Sequence, residues 1–394
     1  MRVFTLPLFA VSVCLCVLPV PVRGQEENNQ DQQVKSTPAA PEKEQDKTTV
    51  KTANEQAARL LEEIHNIKPP VFDPDKAGDP DYQDEFQKEF EAAAAREAEL
   101  IYQLYKADPD NSELDELLPK LWARTAIGDD EIEGYDPLAN MKEFLEKYPD
   151  RPAAHDARLY LPLGYLYRIT DLEDEQSLKY RDEAFRGIDE FLEKYPDEDV
   201  LTKLRLVWMK FRYVKGDDSA HMREIYKQVT EVAPRTKQAR WAAGQLRQID
   251  DLGKPFELEF NDYLTGRHVS VSDMKGKVVV VLFWASYSAP CQTLMPDMVK
   301  LYEEFRDKGV EFVGISEDID ENRLKQYLQD ENITWPQYFD KKKSKDYAES
   351  WGLLAVPEIF LVDREGRLVN TKARGKLREL IPALLEPAEK SADE

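Results

Sequence analysis

Thiols are scarce in this chain. Cysteine occurs three times in 394 residues, at 14, 16 and 291. The first two lie in a segment built like a secretory leader: Arg2, an almost wholly apolar run from Val3 to Val20, then Arg23-Gly24-Gln25. Removal of residues 1–24 leaves Cys291 alone, which excludes an internal disulfide although the chain is expected to be exported, to a periplasmic or other extracytoplasmic space. The alternative is an uncleaved N-terminal anchor, and no other membrane insertion is expected. Val13 and Leu15 precede the two cysteines where a lipoprotein signal needs a small residue. Histidine is nearly as rare. His65, His155, His221 and His268 share no ligand spacing, so no metal is expected. The 16 glycines form no phosphate-cradling loop, so no cofactor is expected, and no G-x-S-x-G elbow supports a serine hydrolase. Positive charge is also in deficit. A net charge of −23 repels nucleic acid and anionic membrane surfaces, which are not expected partners. The cluster Lys341-Lys342-Lys343-Lys345 departs from this balance and reads as a solvated loop or helix start.

Residues 25–54 are rich in Gln, Glu, Lys, Pro and Thr with almost no large apolar side chain, which predicts a disordered tether. Residues 55–250 carry helical periodicity. Leu138, Met141, Leu145 and Tyr148 fall at three- and four-residue steps, as do Tyr180, Ala184, Ile188, Leu192 and Tyr195. Prolines at 109, 149, 196 and 234 punctuate the run, because proline lacks an amide proton and restricts the residue before it. The heptapeptide Phe144-Leu145-Glu146-Lys147-Tyr148-Pro149-Asp150 recurs from Phe191 to Asp197. This spacing predicts stacked antiparallel helix pairs and resembles tetratricopeptide-type repeats, with longer steps and an incomplete signature. Such an array is either a concave surface for a polypeptide partner or a structural cap on the next domain.

From residue 251 the period becomes that of strands. Phe256, Leu258 and Phe260 alternate with glutamates, and a strand is expected from His268 to Val271. Lys277 to Phe283 is a continuous apolar strand, and a helix follows from about Cys291 to Lys308. Further strands are expected at Val310–Ile315, Glu358–Val362 and Arg367–Asn370, and helices near 322–329, 344–351 and 377–385. The order implies a parallel crossover and a final hairpin in a domain spanning 251–387, with an acidic tail at 388–394.

Several motifs of that domain resemble those of the exported TlpA/ResA-like redoxins of the thioredoxin family. They are Lys275-Gly276-Lys277-Val278-Val279, Phe283-Trp284-Ala285, Pro290-Cys291 with Met295-Pro296, and Val356-Pro357 followed by Phe360-Leu361-Val362-Asp363-Arg364-Glu365-Gly366. The expected class is therefore an α/β thioredoxin-like fold at the C-terminus, preceded by an all-α region. The resemblance implies that Pro357 is cis and that the backbone before it is free to pair with an extended polypeptide. It also implies partner contacts from Trp284, Tyr287, Pro290, Val356, Pro357 and Glu358.

The same resemblance marks departures. The family's attacking cysteine falls at Ser288, so Cys-x-x-Cys becomes Ser288-Ala289-Pro290-Cys291. A hydroxyl forms no stable bond to sulfur in a disulfide cycle. The buried Asp that thioredoxins place before the motif is Leu282 here, and the Glu that ResA-like proteins place after it is Leu294. Dithiol activity is thus expected to be lost, leaving recognition of a partner polypeptide through the Pro357 loop and the helical repeats. The alternative is a monothiol enzyme using Cys291 on peroxide or mixed disulfides, since peroxiredoxins carry Thr/Ser-x-x-Cys here, although their upstream proline is Trp284 in this chain. Helix-dipole stabilisation of a Cys291 thiolate competes with burial. Glu358 reads as a solvated rim charge, or as a carboxylate near Cys291.

Overall fold

The computed structural model describes residues 47–386, apart from 129–130, 216–217 and 343–345. The expected leader with Cys14 and Cys16, most of the tether, the acidic tail, and Lys343 and Lys345 of the basic cluster lie outside the described residues.

Nine helices come first among the described residues. They are α1 (Lys47–Asn66), α2 (Pro80–Ala107), α3 (Leu114–Ala126), α4 (Pro137–Lys147), α5 (Ala153–Tyr167), α6 (Glu175–Lys194), α7 (Val200–Phe211), α8 (Ser219–Val232) and α9 (Lys237–Asp250). The start of α1 corrects the tether boundary, which was expected at 54. Ala57, Leu60 and Ile64 form one buried face that docks on the helical core. A helix anchored there extends backward cheaply through Lys47–Ala53, because propagation costs far less than nucleation.

The turn prolines act as expected. Asp108, Tyr148, Tyr195 and Ala233 are the C-caps of α2, α4, α6 and α8, and each immediately precedes a proline. Each cap amide donates to the carbonyl four residues back, which closes the last turn where the proline forbids another. The repeated heptapeptide repeats its packing too. Phe144 and Phe191 are both fully buried, and they contact Tyr148 and Tyr195 with ring centroids 5.3 and 4.9 Å apart.

The second part is a five-stranded sheet flanked by helices. Its strands are β3 (Val278–Trp284), β4 (Val310–Ser316), β5 (Gln337–Tyr338), β6 (Glu358–Val362) and β7 (Leu368–Asn370), in the order β5-β4-β3-β6-β7. A small hairpin, β1 (Glu259–Asn261) with β2 (His268–Ser270), precedes it. The β3–β4 pair is parallel, while β6 is antiparallel to both β3 and β7. This is the thioredoxin-like arrangement. The short strand β5 had no signal in the sequence, because two residues carry no periodicity. All of β3 is buried. Val278, Val280, Leu282 and Trp284 face α10 (Ala289–Phe305), α11 (Glu321–Asp330) and α13 (Leu377–Leu385); Val279, Val281 and Phe283 face Phe256, Leu258, Trp351 and Ala348. A strand buried on both faces has no polar alternation, hence the run V-V-V-V-L-F-W.

The described residues from Ala53 onward form one compact body. Within it, α9 packs against α12 (Tyr347–Ser350) and the residues that follow. Gln248 Nε2 donates to the Trp351 carbonyl at 2.6 Å and Gln245 Nε2 to that of Gly352 at 2.9 Å. The Arg247 guanidinium lies 3.8 Å from the Trp351 ring centre. Helix and loop meet glycine to glycine: a Cβ on Gly244 would stand 2.0 Å from the Gly352 nitrogen. Gly352 also has φ +64°, a left-handed conformation that favours glycine.

Candidate functional site

Strand β3 ends at Trp284 and a short turn leads into α10. The Ser288 amide donates to the Ala285 carbonyl at 3.2 Å, and the Gln292 amide donates to the Ser288 carbonyl at 2.9 Å. Ser288 is therefore the N-cap, with φ −81° and ψ 113°. Serine is favoured there because its hydroxyl normally accepts from an early helix amide. Ser288 makes no such cap. Its Oγ instead donates to the Val356 carbonyl, 3.2 Å away. The Val356–Pro357 bond is cis, as expected. The hydroxyl thus fastens the start of α10 to the cis-proline loop. It also engages a backbone acceptor that was expected to be free for an incoming strand.

Cys291 lies three residues on and is 1 % exposed, packed with Leu282, Trp284 and Met295. Burial pushes its thiol up from the ordinary range. A hydrogen bond with the Ser288 side chain, the backbone near Ala285 and the positive charge of Arg374 oppose this, and Asp318 adds to it. Burial wins over these opposing influences, so the thiol is held protonated at neutral pH.

A polar cluster supports the turn from the other side. Asp318 is 2 % exposed. It accepts from the Ser286 amide at 3.0 and 3.2 Å, from Ser286 Oγ at 2.5 Å and from Ser316 Oγ at 2.8 Å. Gln292 Nε2 donates to the Ser286 carbonyl at 2.7 Å. Sequence reading missed Asp318. The available signal was Ser316-x-Asp318 at the end of an apolar strand, where a short acid commonly bonds nearby backbone and hydroxyl donors. Asp318→Ala strands three buried donors, each at a cost of about 1–3 kcal/mol. It is expected to lower unfolding stability in urea by roughly 3 kcal/mol or more, with Asp318→Asn losing less because one acceptor oxygen survives.

The expected contact residues separate by exposure. Tyr287 is 51 % exposed and Pro290 is also exposed; Val356 is partly exposed. Trp284 is corrected to a core residue: it is fully buried, donates Nε1 to Gln337 Oε1 at 3.0 Å and packs against Tyr327. Its strand position fixes this, since residues alternate faces and Trp284 shares the α10 face with Leu282. Pro357 is buried as well, so Val356, not the proline ring, presents the loop. Glu358 is partly buried opposite Phe283 instead of standing free at the rim. Burial raises its carboxyl above the usual range, and Arg374 and Lys372 offset part of that.

Comparison with known proteins follows this geometry. Residues 249–371 match the AhpC/TSA family. A ResA thiol-disulfide oxidoreductase of Bacillus cereus is 30% identical over 123 residues, which is 31% of this chain and 70% of that protein. Through this domain the chain belongs to the ResA-type thiol-disulfide oxidoreductase family. The ResA protein of Oceanobacillus iheyensis is 34% identical over 125 residues, covering 32% of this chain and 64% of its own length. The chain spans 61% of the length of another ResA relative, from Bacillus thuringiensis, with 29% identity over 107 residues. Among solved structures, the thioredoxin domain of a Bacteroides vulgatus thiol-disulfide oxidoreductase is 32% identical, covering 34% of this chain and 95% of that domain at a TM-score of 0.31. In this ResA-type domain the turn reads Ser288-Ala289-Pro290-Cys291, and Cys291 is the single cysteine among the described residues.

Proposed function

We propose that this chain is an exported ResA-type redoxin that has lost the dithiol cycle and recognises a partner polypeptide. One observation carries the reading. The residue at the attacking position is a serine whose hydroxyl is committed to the Val356 carbonyl, and the remaining thiol is buried and held protonated. Exchange requires an exposed thiolate and a second thiol to resolve the mixed disulfide, and this turn supplies neither. Leu282 and Leu294 stand where the family's proton-accepting acids would be.

The face around the turn suits recognition. Three loops meet there, joined by the Ser286–Asp318 and Ser288–Val356 hydrogen bonds. Each carries an exposed apolar side chain: Tyr287 at 51 %, Ile319 at 70 % and Leu354 at 82 %. Large apolar groups mounted on a rigid, hydrogen-bonded base mark a contact surface more than a solvated one. The monothiol reading draws support from the Ser288 and Arg374 influences on Cys291, but both are outweighed by burial.

The test is photo-crosslinking in the host cell, with benzoylphenylalanine replacing Leu354 or, as a control at the far end of α10, Glu303. Discrete adducts at 354, absent at 303 and unchanged by Cys291→Ala, are expected. Absence of adducts at 354, or their loss with Cys291→Ala, overturns the reading.

A further inference from the structure

The loops at one edge of the redoxin sheet are sorted by charge. Strands β3 and β4 are parallel, and β6 is antiparallel to both β3 and β7. The C-terminal ends of β3, β4 and β7 and the start of β6 therefore share that edge. In the order of the strands, the loops there are 317–320, 285–288, 354–357 and 371–376. The first carries Ile319 among Glu317, Asp318 and Asp320, with Glu321 and Arg323 next along α11. The second and third carry no charge and present Tyr287 and Leu354. The fourth differs in sign. Lys372, Arg374, Lys376 and Arg378 fall at alternate positions with no acid between them, in a chain of net charge −23.

Local structure holds these cations beside the turn. The Ala373 amide donates to the Ile359 carbonyl at 3.1 Å, and the Ala373 side chain is fully buried. This pins the loop next to Glu358 and cis-Pro357. Lys372 and Arg374 flank Ala373 and are exposed. The charge of Arg374 reaches both the Glu358 carboxyl and the Cys291 thiol, and that of Lys372 reaches Glu358. Arg378 is neutralised by Glu304 at 3.0 Å. Among the described residues, Lys372, Arg374 and Lys376 form no ion pair. Glu358 opposes them, but it is a single, partly buried carboxyl against three exposed cations. At the other end of the edge, Glu317, Asp318, Asp320 and Glu321 outnumber Arg323.

The edge thus runs from an acidic end, across two uncharged apolar loops, to a basic end. Unpaired cations beside exposed apolar side chains complement a carboxylate carried on an apolar segment. From the β4 loop to the β7 loop is three inter-strand spacings of ~4.8 Å, roughly 14 Å, the reach of about four extended residues. Given the recognition role proposed above, we infer that the partner segment is apolar at its centre and acidic at one end, with its apolar side chains over Tyr287 and Leu354 and its carboxylates over Lys372 and Arg374. Its other end, neutral or cationic, falls over the Ile319 loop, where the acids repel a carboxylate.

The experiment is fluorescence anisotropy of the full chain with a labelled Ser-Leu-Phe-Leu-Asp-Glu peptide, and with Asn-Gln or Lys-Lys in place of its last two residues. Saturable binding in the order acidic, neutral, basic is expected, with the acidic preference fading in high salt. Lys372→Glu combined with Arg374→Glu should weaken the acidic peptide by about tenfold or more, as charge reversal at a complementary contact does. Lys372→Gln with Arg374→Gln should weaken it severalfold while leaving the melting temperature unchanged. Arg306→Glu with Lys308→Glu makes the same change in net charge just before β4, at the opposite edge of the sheet, and should leave affinity within about twofold. The proposal fails if the acidic peptide does not saturate, if the three peptides bind alike, or if the substitutions at 372 and 374 leave affinity unchanged. It fails equally if those at 306 and 308 weaken binding as much. Inorganic phosphate displacing the peptide at matched ionic strength would make this a small-anion site and would also overturn it. Crosslinks at Leu354 judge the recognition role separately: their persistence beside equal binding of the three peptides removes the acidic preference and keeps the role, whereas their absence overturns the role itself.

Discussion

Ser288→Cys is expected to convert a single-thiol turn into a disulfide-forming pair. In the native chain the turn offers one thiol; in the variant it offers two, separated by Ala289 and Pro290 at the start of α10. The new thiol would sit at the N-cap, where early helix amides and the dipole favour a thiolate and lower its pKa below the free value of ~8.5. Residues three apart at a helix start are neighbours, and the non-helical ψ of the N-cap lets the two Cβ atoms approach. Oxidation should therefore give one disulfide per chain, read by mass before and after alkylation. Turnover on a disulfide substrate should remain about 100-fold or more below that of an intact redoxin, because Leu282 and Leu294 supply no proton acceptor and general acid–base catalysis contributes roughly 10²–10⁴-fold. The variant also surrenders the Ser288–Val356 hydrogen bond, at a cost of about 1 kcal/mol. Failure to oxidise would contradict the placement of these residues on a redox turn.

Gly244→Val has the other large expected effect. Its Cβ would meet the Gly352 nitrogen at 2.0 Å, the Gly352 Cα at 2.4 Å and the Trp351 carbonyl carbon at 2.5 Å. All three are backbone atoms and cannot swing aside. Relief requires moving α9 away from Trp351–Leu353, which breaks the Gln248 and Gln245 hydrogen bonds and the Arg240–Glu349 ion pair. Overpacking in a fitted contact costs typically 1–3 kcal/mol, and β-branched bulk against rigid backbone belongs at or above about 3 kcal/mol. The urea midpoint should fall accordingly, and the segment following α9 should become sensitive to limited proteolysis. The displaced residues lead directly into Leu354–Pro357, so crosslinks at 354 should weaken as well. An unchanged midpoint would show that the two regions do not depend on this contact.

Much of this was legible because particular residues admit few readings. The apolar run in β3 belongs to a strand buried on both faces, and each turn proline sits directly after a helix C-cap. The serine at 288 was visible, as was the single cysteine beyond the expected leader. What the hydroxyl does was not, since its partner at Val356 is 68 residues away and local pattern carries no signal at that range. Asp318 was missed for the same reason: its value lies in donors from Ser286, on a different loop. Trp284 was misread because a tryptophan beside a redox turn suggests a contact surface, whereas strand alternation turned it inward. The glycine contact between α9 and Gly352 has no sequence signature at all, as either residue alone resembles an ordinary glycine.

The reactivity of Cys291 in the native full chain tests the central claim most directly. The rate of alkylation at pH 7 is compared with that of the urea-unfolded chain, alongside sulfenic-acid trapping after low peroxide. A thiol at 1 % exposure with a raised pKa reacts only through local opening, and an opening free energy of about 3–4 kcal/mol slows the reaction by roughly two to three orders of magnitude. The account predicts that retardation, with no sulfenic adduct at Cys291. Native labelling as fast as that of the unfolded chain, with a peroxide adduct lost in Cys291→Ser, would contradict it.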